Sequence, residues 1–530
     1  MHEGGAGIVQ RRIALAAIGC VLAFALICVR LVDLTVLRGW SGAPAMTPAA
    51  TVARADIVDR NGQLLARDLA VSDVYVQPDA LSNVGVAAHR IATAAGLDEA
   101  RVLRILTAKH KKDAFLLVAR KLDPDVADKV EALHIPNLQL APALKRTYPQ
   151  GGEAEQVIGQ IDSTGRALTG LELGLDKSLR AGKTVQLSLD MRIQYTLAHE
   201  LQAALTQFEA KAAGGIVMNV NTGEILAMAS LPDGNSDGGE HDSANPTRNR
   251  MLRDVYELGS VFKIFAFALA MEDHTVRLDQ TFPIGPGFRV GKYLIKDAER
   301  MPPVLTVRDI LGQSSNAGTA QIGLLSGAAR QEQWLGKLGL LSPARSEDPE
   351  GARPLFPRHW GDVETATVSF GHGISVSPLS FVTAASIIVN GGRRIVPTFL
   401  KQSADRRGEQ VISPATSETM RGLLRYVVTD GTGKLADVPG YNVGGKTGSA
   451  EKTDHGRYVA HKLRTSFCAV FPIDNPRYLV FVMLDEPQGA NATGVMALAG
   501  HTAAPLAGRV VARIAAMLDM PVVADTSQTP

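Results

Sequence analysis

Tyr256-Glu257-Leu258-Gly259-Ser260-Val261-Phe262-Lys263-Ile264-Phe265-Ala266-Phe267-Ala268-Leu269-Ala270-Met271 is the stretch that decides the architecture. Its first four residues read as a turn. From Val261 to Met271 every residue is apolar except Lys263, and a run of that length predicts a buried helix rather than a strand. Ser260 falls at the helix N-terminus, where free backbone N–H groups and the helix dipole favour developing negative charge. Ser260 and Lys263 are three apart and share a face. A lone charge in an apolar helix calls for a reason. Burial disfavours the ammonium form and lowers its pKa, which is how a lysine becomes a general base. Being mostly neutral at pH 7 needs a pKa lowered by about 3, at a cost of about 4 kcal/mol to the fold. A serine N-cap with a snorkelling lysine is the plainer alternative.

Working outward, context separates this Ser-x-x-Lys from chance, which supplies roughly one copy in a chain this long. A second copy, Ser449-Ala450-Glu451-Lys452, lies in a polar stretch that reads as a turn between strands. Downstream of the helix stands Ser314-Ser315-Asn316. It follows an amphipathic helix, Leu305 to Leu311, ending near Gly312, and leads into the apolar stretch Ala317 to Leu325. A connection between helices can present a hydroxyl and a carboxamide to a cleft; an ordinary Ser/Asn helix cap is the alternative. The rival Ser243–Asn245 sits in a Gly/Asp/Ser/Asn-rich loop. Lys446-Thr447-Gly448 occurs once. Glycines before and after it suit a strand whose backbone must approach a ligand closely. Arg464 to Phe471 and Tyr478 to Leu484 read as two further strands of an antiparallel meander, with Lys446 on a neighbouring strand. A lysine on a solvated sheet face is the competing reading.

The three motifs, in this order, resemble the class B penicillin-binding proteins, and more narrowly the FtsI-type division-specific peptidoglycan D,D-transpeptidases. The likeness extends to Gly214 to Met218, Thr222 to Met228, Asn249-Arg250 and Phe370 to Pro378, and upstream to Arg54 to Gly62, Tyr148-Pro149 and Gly170-Leu171-Glu172. Two positions depart from the family pattern. Leu258 stands where proline is usual, which is expected to loosen the turn before Ser260, and Ser449 where threonine is usual, which keeps a hydroxyl. The resemblance implies an α/β (α+β) fold of three parts. These are an N-terminal transmembrane helix, a small mixed pedestal, and a penicillin-binding/serine β-lactamase-like transpeptidase domain. In the last, an antiparallel sheet is flanked by helices and an all-helical subdomain. By resemblance Ser260 is the nucleophile, Lys263 its base, Ser314 a proton relay and Asn316 a holder of the donor peptide. Lys446, Thr447, Gly448 and Ser449 bind substrate, and the backbone N–H groups of Ser260 and Ser449 form the oxyanion hole. Peptidoglycan stem peptides and β-lactams are the implied ligands, with an FtsW-type glycan polymerase and other divisome membrane proteins as partners. No cofactor or metal is implied.

Composition agrees. A chain of 530 residues suggests more than one domain, and 45% hydrophobic with 20% charged residues suits a well-cored protein with a membrane segment. A net charge of +2 and no basic face with interleaved aromatics argue against nucleic acid. Ile13 to Val29 is free of charge, about 26 Å as a helix, and extending it to Leu37 gives a full span. Arg11 and Arg12 place residues 1–12 in the cytoplasm and the rest of the chain in the periplasm, held in the inner membrane by 13–37. A cleaved signal peptide ending near Ala43-Pro44-Ala45 is the rival, with a shorter apolar core than is seen here. Cys20 and Cys28 fall in the span, leaving Cys468 without a disulfide partner.

The pedestal is expected over 50–183, the transpeptidase domain over 186–520 and a disordered tail over 521–530. Asp56 to Ala66 reads as a hairpin with a type I′ turn at Asn61-Gly62. Helices are expected near Val86–Ala95 and Leu97–Ala108, with Lys109-His110-Lys111-Lys112 as a solvated loop between helices. Arg54, Asp59 and Arg60 read as a structural ion pair. His372, between two glycines, reads as a loop residue lining or supporting the cleft rather than a proton shuttle. Two other classes of function use the same chain. One is a hydrolase, a D,D-carboxypeptidase or β-lactamase, with water as acceptor; the other is a non-catalytic scaffold or β-lactam sensor. An elongation-type transpeptidase would carry a longer region before the nucleophile.

Overall fold

The computed structural model describes residues 21, 23–27, 53–232, 248–454, 457–488 and 497–522. The expected span 13–37, the tails and the loop holding Ser243–Asn245 lie outside these residues, apart from 21 and 23–27, which are helical, and 521–522. Among the described residues no helix is long and apolar enough to cross a membrane. The chain divides into two units, Met1–Ala53 with Leu69–Lys145, and Arg54–Asp68 with Arg146–Pro530.

In the first unit, the part of strand Leu64–Val76 from Leu69 on pairs antiparallel with Leu116–Leu122, Val76 lying opposite Leu116. Helices Val84–Ala95, Glu99–Thr107 and Pro124–Glu131 bury Ala88, Ile91, Val102, Leu106 and Val130 with Val74, Val76 and Val118. The Asn83 side chain caps the first helix and Gly96, at φ 64°, ends it. Lys109 to Lys112 join the second helix to a strand, not to another helix.

The second unit contains the hairpin expected at 56–66: Ile57 lies opposite Ala66 and Val58 opposite Leu64. Its turn is not type I′. That turn needs positive φ at both central residues, and of Asn61 and Gly62 only Gly62 has it, at 89°. The Asp59 carboxylate shapes the loop instead, accepting the N–H groups of Asn61 and Gln63 at 2.8 Å each. Asp59 therefore serves backbone donors, not Arg54. Arg54 reaches Glu172 at 2.7 Å and also Asp176, while Arg146 holds the other Glu172 oxygen at 2.7 Å. Arg60 stands 3.9 Å from Glu224.

The remainder of this unit is a layered sheet. In chain order its main elements are helix α1 (Met191–Phe208), strands β1 (Ala212–Asn219) and β2 (Ile225–Leu231), helices α2 (Lys263–Glu272), α3 (Val307–Gly312), α4 (Asn316–Ser326) and α5 (Pro414–Thr429), strands β3 (Gly444–Asp454), β4 (Arg457–Phe471) and β5 (Tyr478–Asp485), and helix α6 (Ala503–Met517). The strands run in the order β3-β4-β5-β1-β2, every pair antiparallel. Both faces of the sheet are covered, which is why β5 reads as one apolar run rather than an alternation. Val480, Val482 and Leu484 pack with α1 and α6; Leu479, Phe481 and Met483 join the larger core containing Phe262, Phe265 and Phe267. Glu451 to Asp454, in the polar stretch expected as a turn, continue β3 alongside β4. The helical layer is not all-helical. Two small hairpins, Thr281–Pro283 with Val304–Thr306 and Phe288–Val290 with Tyr293–Ile295, stand ahead of α3. Each of their strands is three residues long, too short for sequence periodicity to register.

Asp348, between α4 and α5, is 1% exposed, and its Oδ2 has no hydrogen-bond partner. Burial raises its pKa to about 6, against the opposing pull of Arg253. Because the folded value exceeds the unfolded one, stability falls as pH rises through roughly 4 to 6, and the full cost stands above 6. Asp348→Asn is expected to raise unfolding stability at pH 7.5 by about 1–3 kcal/mol and to give no gain at pH 4. Denaturant titrations at the two pH values check this.

Candidate active site

Ser260 lies on a single 3-10 turn, Gly259–Phe262, which precedes α2 rather than forming its first residues. The turn is built by contact with the sheet. Gly259 has φ 60°, and a Cβ there would stand 2.7 Å from the Ser449 carbonyl oxygen. A Cβ at Gly448 would stand 2.6 Å from the Leu258 carbonyl oxygen and from Ser466 Oγ. The close backbone approach, expected toward a ligand, is at Gly448 an approach to the Ser260 turn. Leu258, expected to loosen that turn, is packed in place. Its side chain is 2% exposed in the main core, so packing supplies the restraint a proline ring would give. Gly259→Ala is expected to displace Ser260 and lower the rate of fluorescent-penicillin labelling by about 100-fold. A labelling time course against a melting curve separates this from unfolding.

Lys263 is fully buried in the first turn of α2. Its Nζ donates to the Ser314 carbonyl and lies 3.2 Å from Ser314 Oγ. Ser314 has φ 61°, a left-handed conformation uncommon for a residue with a side chain, and it stands between α3 and α4. Lys446, for which a solvated sheet face was the competing reading, is also fully buried. Its Nζ donates to Ser314 Oγ at 2.9 Å and to the Thr447 carbonyl at 3.0 Å. One hydroxyl therefore sits between two buried amines. Burial, and next the Lys446 charge, drive the Lys263 pKa well below its ordinary value, with Asp297 opposing. Burial lowers Lys446 to about 7. The second Ser-x-x-Lys copy behaves oppositely. Burial of Lys452 is outweighed by its hydrogen bonds to Asp485 and Glu486, at 2.8 and 2.7 Å, which hold its pKa above the ordinary value.

Ser260, Ser314, Asn316, Thr447 and Ser449 line one cleft of about 370 Å³, together with Gln313, Glu299, Thr432, Lys434 and the segment Leu498–His501. Ser449 Oγ accepts the Ala499 N–H at 3.1 Å. Thr432, which the motifs do not reach, shares a 2.7 Å hydroxyl contact with Thr447. Its signal was Gly431-Thr432-Gly433 just past the end of an amphipathic helix. Asp297 also went unseen. It accepts the Ser315 hydroxyl at 2.8 Å and the Asn316 and Ala317 N–H groups. His372 packs on Phe370 and Tyr458, ring centroids 5.3 and 5.2 Å away, outside the cleft lining. Burial and the Lys263 charge lower its pKa to about 4, so it is neutral at pH 7.

A covered antiparallel sheet, a serine on a glycine-framed turn and a hydroxyl between two buried lysines define a serine-type acyl-transfer enzyme. The penicillin-binding protein transpeptidase domain matches residues 213–512, and the penicillin-binding protein dimerisation domain matches 49–187. The chain belongs to the penicillin-binding protein transpeptidase family, among its class B, FtsI-type members. It is 39% identical to the probable peptidoglycan D,D-transpeptidase FtsI of Caulobacter vibrioides, over 88% of this chain and 81% of that one. With peptidoglycan D,D-transpeptidase FtsI of Escherichia coli K12 the identity is 27%, over 87% and 83%. The crystal structure of penicillin-binding protein 3 from Mycobacterium tuberculosis, complexed with ampicillin, superposes with a TM-score of 0.69 at 26% identity, covering 90% and 97%.

Proposed function

We propose that this chain cross-links peptidoglycan stem peptides during septum formation, through an acyl-Ser260 intermediate. The observation that carries the chemistry is the Ser314 hydroxyl, 3.2 Å from Lys263 Nζ and 2.9 Å from Lys446 Nζ at the cleft that Ser260 lines. Lys263, its amine neutral, takes the Ser260 proton as Oγ attacks the penultimate D-Ala carbonyl. Backbone N–H groups of Ser260 and Ser449 receive the oxyanion, each worth about 3 kcal/mol in the transition state. The proton passes through Ser314 to the departing D-Ala amine, so Lys263 regains its neutral form. Lys446 and Thr447 bind the donor's terminal carboxylate and Asn316 its amide. An amine of a neighbouring stem then displaces Ser260, and the ester proton balance is restored through Lys263. A β-lactam enters the same path and stops at the acyl-enzyme.

Purified full-length protein given a peptide ending in D-Ala-D-Ala and an acceptor amine should release one D-Ala for each new amide formed. Release without amide, or steady turnover of a β-lactam, would make it a hydrolase. The motif order, the dimerisation-domain match and FtsI-named relatives support the septal reading. Arg11, Arg12 and the apolar stretch 13–37 support a single-pass inner-membrane anchor with the catalytic domain in the periplasm, docking on an FtsW-type glycan polymerase. Depletion should give long undivided cells, and replacing residues 1–40 by an unrelated anchor should keep penicillin binding but fail to restore division. Swollen cells with side-wall labelling would move the chain to elongation.

A further inference from the structure

Ser314 owes its place between the lysines to the segment on either side of it, and one carboxylate holds the downstream side. Asp297 follows the small hairpin Phe288–Val290/Tyr293–Ile295, and the residues after it, Ala298, Glu299 and Met301, form a wall of the cleft. Its Oδ1 accepts the N–H groups of Asn316 and of Ala317, the latter at 3.1 Å, and its Oδ2 accepts the Ser315 hydroxyl at 2.8 Å. Ser315 is fully buried and its Oγ in turn accepts the Gly318 N–H at 3.0 Å, capping α4. On the upstream side, the Ser314 and Ser315 N–H groups donate to the carbonyls of Leu311 and Ile310. Ser314 is therefore the joint between a fixed helix end and a start of α4 that Asp297 pins.

We propose that Asp297 is a positioning residue for proton transfer: its carboxylate locks Ser315 to Ala317, and so the Ser314 hydroxyl, between the two amines, and its charge acts on Lys263. This rests on the acyl-Ser260 reading above. The groups acting electrostatically on the Lys263 amine are Lys446 from β3, which disfavours its charged form, and Asp297, which favours it. His372, on the loop between its flanking glycines, feels the Lys263 charge and is neutral. Among the described residues, Asp297 thus supplies the one negative charge opposing burial and Lys446. Without it, Lys263 loses its proton at lower pH and is a weaker base.

The test measures acylation by a chromogenic or fluorescent β-lactam from pH 5 to 9 on the full chain, wild type against Asp297→Asn and Ser315→Ala. Peptide mass spectrometry locates the adduct in each. Asparagine can still accept both backbone N–H groups, so the variant removes charge with little change of shape. Expected for Asp297→Asn is a rate at least tenfold lower and an acidic limb displaced to lower pH by half a pH unit or more. Ser315→Ala keeps the charge and loosens one contact, so its rate should fall several-fold with the limb unmoved. A folded Asp297→Asn protein that melts lower but keeps the wild-type limb overturns the inference, since a purely structural role does not move a titration. If Asp297→Asn does not fold, wild-type rates in Ser315→Ala overturn it. Wild-type protein carrying no adduct on Ser260 would instead remove the acyl-Ser260 reading.

Discussion

Ser260→Ala is expected to abolish covalent penicillin labelling, with acylation down by about 10⁶-fold, while the protein stays folded. Ser260 is only half-buried and its hydroxyl caps no helix, since Leu258 precedes the 3-10 turn and makes no side-chain cap. Its removal should therefore cost less than about 1 kcal/mol of stability. Labelling on a gel with a melting curve on the same sample decides the matter. Were Ser449→Ala to abolish labelling while Ser260→Ala retained it, the second motif copy would be the reactive one. The structure gives reason to expect otherwise: Lys452 is bound by two carboxylates and keeps its proton.

Lys263→Arg should come next in size, a loss of about 10²–10⁴-fold in acylation rate, because guanidinium stays protonated and cannot act as a base. The substitution also places a permanent charge where Lys263 can be neutral, fully buried and facing Lys446. Some instability is expected from that alone. Lys263→Met supplies the control, since it fills similar volume without charge. Both variants should be nearly inactive, with the methionine protein melting at the higher temperature. Acylation of either at close to the wild-type rate would rule out Lys263 as the base.

Local patterns in the sequence carried much of the architecture. The apolar run after Ser260 became α2, and the two runs Arg464 to Phe471 and Tyr478 to Leu484 became adjacent antiparallel strands. Asn83 and Asp98 cap their helices as such residues do. Failures fell where the deciding contact is distant. Arg54 was grouped with Asp59, five positions away, yet it binds Glu172, 118 positions on. The turn at Asn61-Gly62 is the local exception: it answered to the carboxylate of Asp59, two positions before Asn61, rather than to its own dipeptide. Glu451 to Asp454 have the polar composition of a turn but lie along β4, because hydrogen bonding to a neighbouring strand overrides weak local propensity.

The sequence by itself determined the parts of the site. Ser260 with Lys263, Ser314 with Asn316, and Lys446 with Thr447 are each a short-range arrangement set by helix or strand geometry, and their order named the family. Only the tertiary structure decided what those parts are chemically. Lys263 meets Ser314 across 51 positions and Lys446 meets the same hydroxyl across 132. Whether a lysine titrates near neutrality or stays charged depends on how much water is removed from it and which charges face it. Those are sums over the whole surrounding, which neighbours in the sequence do not supply. Hence two identical Ser-x-x-Lys spellings diverge, one lysine buried beside another cation and one held by two carboxylates.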